Sequence, residues 1–206
     1  MAEDWQITAK ARSDFADLLD SLSEEQLSGN TLCENWTPMD IAGHLVSFVE
    51  LGLPAMVFSM AKAGFNVDKA WTTNATKYKS MGRDAISTAL REKGAKRAPI
   101  PSFSAGVSFM DVAVHTQDVR RGLGLEGSLD EEVLRASLDW ATTHKQRKIH
   151  VDPKDLEGLR LEATDMDWSW GDGALVSGPA EAILMGINRR DMGTELTGDG
   201  VAKLPK

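Results

Sequence analysis

The sequence predicts a mainly α-helical protein, with a helix bundle over residues 1–150 and a small α+β subdomain over residues 151–206. Two observations predict this organisation. In the first part, apolar residues recur at the three- and four-residue spacing of helices that bury one face, and helix start signals precede several of these segments. After Gln146 the spacing changes to the alternation of a strand, and a glycine-rich segment follows.

The first two helices are predicted over residues 7–22 and from residue 38 onward. Thr37 and Asp40 form a T-x-x-D capping box around Pro38, which suits the first helical position. The second helix is expected to extend toward residues 63–64, with a break at the Gly-Leu-Pro sequence of residues 52–54.

Further helices are predicted over residues 83–93 and 104–123, the latter nearly apolar in its first half and therefore central. Ser128 and Glu131 form a second S-x-x-E capping box, which predicts a helix start at that point. In the C-terminal subdomain, residues 159–163 alternate as in a strand, and Pro179 is predicted to open a last helix over residues 180–190.

Composition and charge exclude several classes of protein. No run approaches the roughly 18 apolar residues of a membrane-spanning helix, and the N-terminal residues lack the pattern of a signal peptide. The single cysteine, Cys33, cannot form an internal disulfide, which favours a cytoplasmic protein. A net charge of −8 opposes binding to nucleic acid. The expected partners are small molecules, and either a monomer or a homodimer is compatible with the sequence.

His44 is the first candidate for chemistry, since it lies on the apolar face of the second helix, three residues after Ile41 and four before Phe48. An imidazole in that position points to the core. A neutral, hydrogen-bonded core histidine is the ordinary alternative.

Asp111 and His115 lie four residues apart on the central helix, so their side chains project from one face. A buried carboxylate costs several kcal/mol unless it is paired or bound to a cation. The structural alternative is an Asp–His hydrogen bond, or an ion pair with Arg120 or Arg121. The functional interpretation is a D-x-x-x-H ligand pair that His44 completes from a facing helix.

Two imidazoles and one carboxylate suit zinc with a fourth position open, as in catalytic sites. The same ligands accept Fe²⁺, Ni²⁺ or Mn²⁺. Asp118, one turn beyond His115, is either a fourth ligand or a group that holds His115 from outside the coordination sphere, and we favour the latter.

The segments TLCENWTPMDIAGHL (residues 31–45) and DVAVHTQDVRRGLG (residues 111–124) resemble the mycothiol-dependent maleylpyruvate isomerase-like branch of the DinB-like superfamily. The resemblance continues through WGDG, GPAEA, Arg189 and LTGDGV of the C-terminal region. It implies a DinB-like four-helix bundle with a small C-terminal domain, and a metal bound by His44, Asp111 and His115. It also implies mycothiol as the thiol co-substrate, and contact of Arg189 with carboxylates of substrate or thiol.

Three functions are compatible with these residues. The leading one is a transferase in which a zinc-bound thiol attacks a small electrophile, with Arg189 and Asp118 assisting. The second is cis-trans isomerisation of a maleylpyruvate-like diacid, in which Arg189 would hold a carboxylate. The third is a metal-binding module without turnover, which the short C-terminal region suggests.

Overall fold

The computed structural model describes residues 2–205. Its α-helices are α1 (Ala2–Ser21), α2 (Glu24–Leu27), α3 (Pro38–Glu50), α4 (Leu53–Lys62), α5 (Val67–Lys79), α6 (Arg83–Glu92), α7 (Ala105–Gly122), α8 (Glu131–Thr143) and α9 (Ala180–Ile187). Its strands are β1 (Leu159–Ala163), β2 (Ser169–Gly171) and β3 (Ala174–Gly178). The prediction of a mainly helical fold is therefore confirmed. No helix among these residues combines the length and apolar character needed to cross a membrane.

Four helices form the bundle. α1 packs against α6 and α7, and α3 packs against the same two helices. α5 lies along the outside of α3, and α4 packs on α5. The core between the four helices is apolar, with Phe15, Ile41, Leu90 and Met110 almost inaccessible to solvent. Burial of these faces supplies most of the stability of the individual helices.

The predicted start of α3 is confirmed at its cap. The Thr37 hydroxyl accepts a hydrogen bond from the Asp40 backbone N–H, and the Asp40 carboxylate accepts one from the Thr37 backbone N–H at 3.0 Å. The predicted break is confirmed as well, since α3 ends at Glu50 and α4 begins at Leu53.

The predicted start of α8 requires correction. The predicted helix start at Ser128 was wrong, because Asp130 caps α8 instead and its carboxylate accepts a hydrogen bond from the Glu132 backbone N–H.

α5 was not predicted from the sequence. It is largely polar, with Ala70, Asn74 and Ala75 as its buried residues, so it lacks the apolar periodicity that reveals a helix.

The chain divides into two compact units, Met1–Gly127 and Ser128–Lys206. The sequence predicted a boundary near residue 150, whereas α8 belongs to the second unit, where it packs against α9. The sheet of that unit has the order β2-β1-β3, with β2 antiparallel and β3 parallel to the central strand β1. α9 packs on this sheet through β1 and β3.

Candidate metal site

His44 lies in the second turn of α3 and is only 5% exposed. Its neighbours Ile41 and Leu45 are buried in the bundle core, so the capping box that fixes the start of α3 also fixes the direction of the imidazole. The Nε2 atom lies 3.1 Å from Oδ2 of Asp111. The Nδ1 atom is buried without a hydrogen-bond partner among the described residues.

Asp111 and His115 lie on one face of α7, one turn apart. The second oxygen of Asp111, Oδ1, lies 3.7 Å from Nε2 of His115. The potential ligand atoms of His44, Asp111 and His115 all lie within 4.8 Å of one another. The structure therefore brings together, on α3 and α7, the three residues that the sequence singled out.

Asp118 is fully buried one turn further along α7, and its Oδ2 atom lies 2.9 Å from Nδ1 of His115. With the proton on Nδ1, His115 donates to this carboxylate and keeps its Nε2 lone pair directed toward Asp111. This contact is compatible with the role favoured for Asp118 from the sequence, which stays a prediction.

Three aromatic side chains surround the two imidazoles. The ring of Trp36 lies edge-on to His44 at 5.1 Å and stacks on His115 at 5.9 Å. Phe48 and Trp71 also contact His44, both edge-on, at centroid distances of 5.1 and 5.8 Å. Of these three rings, only Phe48, four residues after His44, could be connected to the site from its spacing in the sequence.

Gly43 explains how Trp71 on α5 comes so close to α3. A Cβ atom at Gly43 would lie 2.3 Å from the Ala75 carbonyl oxygen and 2.7 Å from the Lys79 backbone nitrogen. Real Cβ atoms do not make such contacts with backbone, so only glycine permits this approach. Lys79 then forms an ion pair with Asp40 at 2.8 Å, which joins α5 to the start of α3.

Cys33 is a second feature that the sequence did not connect to the site. Its thiol lies within 4.8 Å of ligand atoms of His115 and Asp118, and its side chain is half-buried. The residue comes from the loop before α3, far in sequence from α7.

Arg12 is a buried cation of the bundle, 1% exposed on α1. Its Nη1 atom donates to the carbonyl oxygens of Gly94 at 2.7 Å and Lys96 at 2.9 Å. Burial lowers the pKa of the guanidinium to about 10, and the negative charge of Asp111 partly opposes that shift. The charge of Arg12 therefore interacts favourably with Asp111 of the triad, while its hydrogen bonds hold the loop after α6.

Arg189, in the second unit, directly follows the C-terminal cap of α9. The backbone N–H groups of Arg189 and Arg190 donate to the carbonyl oxygens of Gly186 and Met185, which is the Schellman arrangement. Arg189 takes the position in which glycine is usual, with φ of 68°. Its side chain is 54% exposed and pairs with Asp155 at 2.7 Å.

The donor set fits a divalent ion. Bond lengths of about 2.0–2.2 Å place ligand atoms around tetrahedral zinc roughly 3.3–3.5 Å apart. Nε2 of His44 lies 3.1 Å from Oδ2 of Asp111 and Nε2 of His115 lies 3.7 Å from Oδ1, so each imidazole faces a different carboxylate oxygen at close to that separation. The side chains of His44, Asp111 and His115 retain 7, 16 and 12% exposure, so small molecules can reach them. The 3.1 Å contact also satisfies the Asp–His hydrogen bond that was the structural alternative.

Comparisons with known proteins agree with these features. Residues 8–99 match the family model of the mycothiol maleylpyruvate isomerase N-terminal domain. The crystal structure of the mycothiol-dependent maleylpyruvate isomerase shares the fold with a TM-score of 0.59 at 17% identity, and that of a histidine-to-alanine mutant does so with 0.60 at 16%. Each alignment covers 98% of this chain and 95% of the other. No curated protein matches the chain.

These findings agree with the resemblance seen in the sequence motifs, and the structural match confirms the predicted helix bundle with its small α+β part. The family match falls on α1 to α6, which include the helix that carries His44. Residues 8–99 therefore match the N-terminal domain of the mycothiol maleylpyruvate isomerase family, and the chain has the fold of the mycothiol-dependent maleylpyruvate isomerase.

Proposed function

We propose that the chain is a metal-dependent thiol transferase, in which His44, Asp111 and His115 hold one divalent ion and a low-molecular-weight thiol attacks a small electrophile. The family name supports mycothiol as that thiol. The observation that carries the proposal is the convergence of the three ligand atoms within 4.8 Å at a partly accessible position.

A divalent ion bound there would lower the pKa of a coordinated thiol, so that thiolate is present at neutral pH. The protein's own groups prepare this position. Nε2 of His44 and Nε2 of His115 face the two oxygens of Asp111, and Asp118 accepts from Nδ1 of His115, which fixes its orientation. Zinc is the metal that these ligands favour, with Ni²⁺, Fe²⁺ and Mn²⁺ as alternatives.

Arg189 is proposed to bind a carboxylate of the thiol or the substrate. A guanidinium can recognise a carboxylate through paired hydrogen bonds, and Nη2 of Arg189 already donates to one carboxylate oxygen of Asp155, Oδ2, at 2.7 Å. The positive φ of Arg189 marks a strained position, which motivates the proposal that its side chain is kept for function.

Elemental analysis combined with a thiol assay tests the proposal. The purified chain is expected to contain about one zinc per molecule, as three ligands with one open position predict. It is expected to consume mycothiol in the presence of 1-chloro-2,4-dinitrobenzene, and a chelator should abolish that activity. Metal without consumption of thiol by any electrophile would contradict the transferase.

The second candidate is cis-trans isomerisation of a maleylpyruvate-like diacid. The fold shared with the isomerase along 98% of the chain supports it. Reversible addition of the same thiolate would allow rotation about the former double bond, with Arg189 holding a carboxylate. Loss of the cis-enoyl absorbance of such a diacid without net consumption of thiol distinguishes this reaction from conjugation.

A metal-binding module without turnover is the remaining alternative. This alternative was suggested by the C-terminal region, which looked short in the sequence. The alignment covers 95% of the isomerase chain, which gives no support to a shortened protein. One bound metal together with inactivity in both assays would favour the module.

A further inference from the structure

We propose that Cys33, His115 and Asp118 form a second metal site, which takes a thiophilic divalent ion in place of the ion of the triad. These three side chains are called the Cys33 site below. The Cys33 site shares one imidazole with the triad, but its thiol and its carboxylate are different ligands. Only the replacement of the triad's ion rests on the proposed function.

The ligand atoms of the Cys33 site converge beside α7. A sulfur, an imidazole nitrogen and a carboxylate oxygen of these residues lie within 4.8 Å of one another. Oδ2 of Asp118, whose side chain is fully buried, lies 2.9 Å from Nδ1 of His115. Cys33 is half-buried and the His115 side chain retains 12% exposure, so the group is not sealed from solvent. Thiolate, imidazole and carboxylate are all common metal ligands in proteins.

Main-chain contacts hold Cys33 beside α7. The backbone N–H of Leu32 donates to the carbonyl oxygen of Asp118 at 3.0 Å, which joins the loop to the helix one residue before the thiol. Gly122 permits this approach, since a Cβ atom there would lie 2.4 Å from Cα of Thr31. The Thr31 hydroxyl in turn accepts a hydrogen bond from the Cys33 backbone N–H at 3.1 Å. The placement of the thiol is therefore set by the backbone.

The two ring nitrogens of His115 make the Cys33 site and the triad alternatives. Nδ1 lies 2.9 Å from Asp118, whereas Nε2 lies 3.7 Å from Oδ1 of Asp111 in the triad. A neutral imidazole offers one lone pair to a metal, and its other nitrogen carries the proton. An ion bound to Nδ1 therefore leaves the ring proton on Nε2, where it faces Asp111. His115 is then no longer a ligand of the triad.

Charge and softness favour a thiophilic ion at the Cys33 site. Binding replaces the S–H bond of Cys33 by a metal–sulfur bond, and the thiol proton leaves to solvent. The thiolate and the Asp118 carboxylate then balance the two charges of the ion, which lowers the cost of holding it in a largely buried position. A soft sulfur ligand favours a soft ion such as Cd²⁺, whereas the imidazoles and carboxylate of the triad suit zinc.

Titration of the metal-free protein with Cd²⁺ in thiol-free buffer tests the Cys33 site without requiring turnover. Cadmium bound to a thiolate gives a charge-transfer band in the ultraviolet, and Cys33 is the only cysteine of the chain, so the band reports this residue alone. The band is expected to be complete at about one equivalent of Cd²⁺. Cys33→Ser should show no band, while its zinc content should equal that of the wild type because the triad is unchanged.

The carboxylate decides whether the thiol belongs to a site, because a cysteine that binds cadmium by itself would also give a band. Asp118→Asn should weaken the Cd²⁺ affinity, measured from the band in competition with a chelator, by at least about tenfold, since even a supporting residue has an effect of that size. Asp84→Asn, at a carboxylate that is 92% exposed, is the matched control and should bind Cd²⁺ like the wild type. The absence of a band in the wild type, or equal affinities in Asp118→Asn and the wild type, would overturn the inference.

His44→Ala separates this inference from the proposed function, because it removes a triad ligand and leaves the Cys33 site complete. With its helical circular dichroism unchanged, the variant should lose zinc, the less thiophilic ion, on dialysis and still give the cadmium band. Wild type loaded with zinc and then with Cd²⁺ should hold about one ion per chain in total, since both sites need the ring of His115. Two ions on one chain, or no band in His44→Ala, would contradict the shared ring. If the wild type retains no zinc but gives the band, the Cys33 site stands and the triad fails.

Discussion

The two units of the chain hold charged side chains in opposite settings. His44, Asp111 and His115 in the bundle retain 7 to 16% exposure, whereas Arg189 in the second unit is 54% exposed. An exposed ion pair such as Arg189–Asp155 contributes about 0–1 kcal/mol, because water already solvates both groups. A buried carboxylate among imidazoles costs several kcal/mol unless a cation or hydrogen bonds compensate it.

Backbone conformation shows the opposite contrast between the two units. His44, Asp111 and His115 lie in regular helices, whereas Arg189 adopts a positive φ that disfavours any side chain. Burial of the triad therefore costs solvation free energy, but its backbone is unstrained. Arg189 loses little solvation free energy, but its backbone is strained. The desolvation of the triad and the backbone strain of Arg189 both point to function, but they predict different responses to mutation.

The largest expected effect is the loss of metal in His44→Ala. Removal of one of three ligands should reduce metal affinity by more than the roughly 10- to 100-fold that is typical when a supporting residue is changed. Elemental analysis after dialysis against buffer would give substoichiometric zinc. His150→Ala is the control, because His150 lies in the second unit, with its ring 5.8 Å from Trp140. Full zinc retention in His44→Ala would remove the proposed site.

Asp118→Asn should have the next largest effect. The amide keeps the shape of the side chain but loses the charge that favours the proton on Nδ1 of His115, so metal affinity should fall about 10- to 100-fold. Competition with a chromophoric chelator measures this change. Asp84→Asn, at a carboxylate that is 92% exposed, provides a matched control. Affinity equal to that of the wild type would show that Asp118 does not orient His115.

The triad illustrates what the sequence could and could not predict. Asp111, His115 and Asp118 share one helix, so their common face follows from helical spacing. The capping box at Thr37 likewise fixes the start of α3 locally. The 3.1 Å approach of His44 to Asp111 joins residues 67 positions apart. It was inferred because both residues are polar groups on apolar helix faces, and because the family resemblance implied the same ligands.

The surroundings of the triad escaped prediction for a physical reason. Trp71 lies on α5, a polar helix whose position depends on the backbone contact at Gly43 rather than on its own apolar pattern. Cys33 and Trp36 come from the loop before α3, where side-chain direction has no periodicity. Arg12 on α1 gave no signal in the sequence, and its side chain is held inside by hydrogen bonds to carbonyl groups of the loop after α6.

Asp40 is more exposed than the triad and less exposed than Arg189. Its replacement should therefore have an intermediate effect on the free energy of unfolding. Burial raises the pKa of its carboxyl group, but the hydrogen bonds from Lys79 and Thr37 outweigh burial and the pKa is lowered overall. Asp40→Ala removes the capping box and the ion pair, so it should destabilise the protein by about 1–2 kcal/mol at pH 7. Chemical denaturation measures this difference, with Asp40→Asn as the variant that removes only the charge.

The contribution of Asp40 should depend on pH in a defined direction. Because its pKa is lower in the folded state, the ionised carboxylate stabilises the fold above the ordinary aspartate range, and this stabilisation is lost as the pH falls below about 4. The wild type and Asp40→Asn should therefore converge in stability in acid. A constant difference between pH 7 and pH 3 would show that charge is not the cause.

Arg189 should give the smallest effect on stability, and its sign distinguishes strain from ion pairing. Arg189→Gly relieves the positive φ of 68°, so it should be more stable than Arg189→Ala by about 1 kcal/mol, since only glycine adopts that conformation without cost. Both variants lose the exposed pair with Asp155 equally and should retain full zinc. If thiol turnover nevertheless falls in both, the arginine is retained for its guanidinium at the expense of stability. If Arg189→Gly turns over like the wild type, its backbone strain has no link to the reaction.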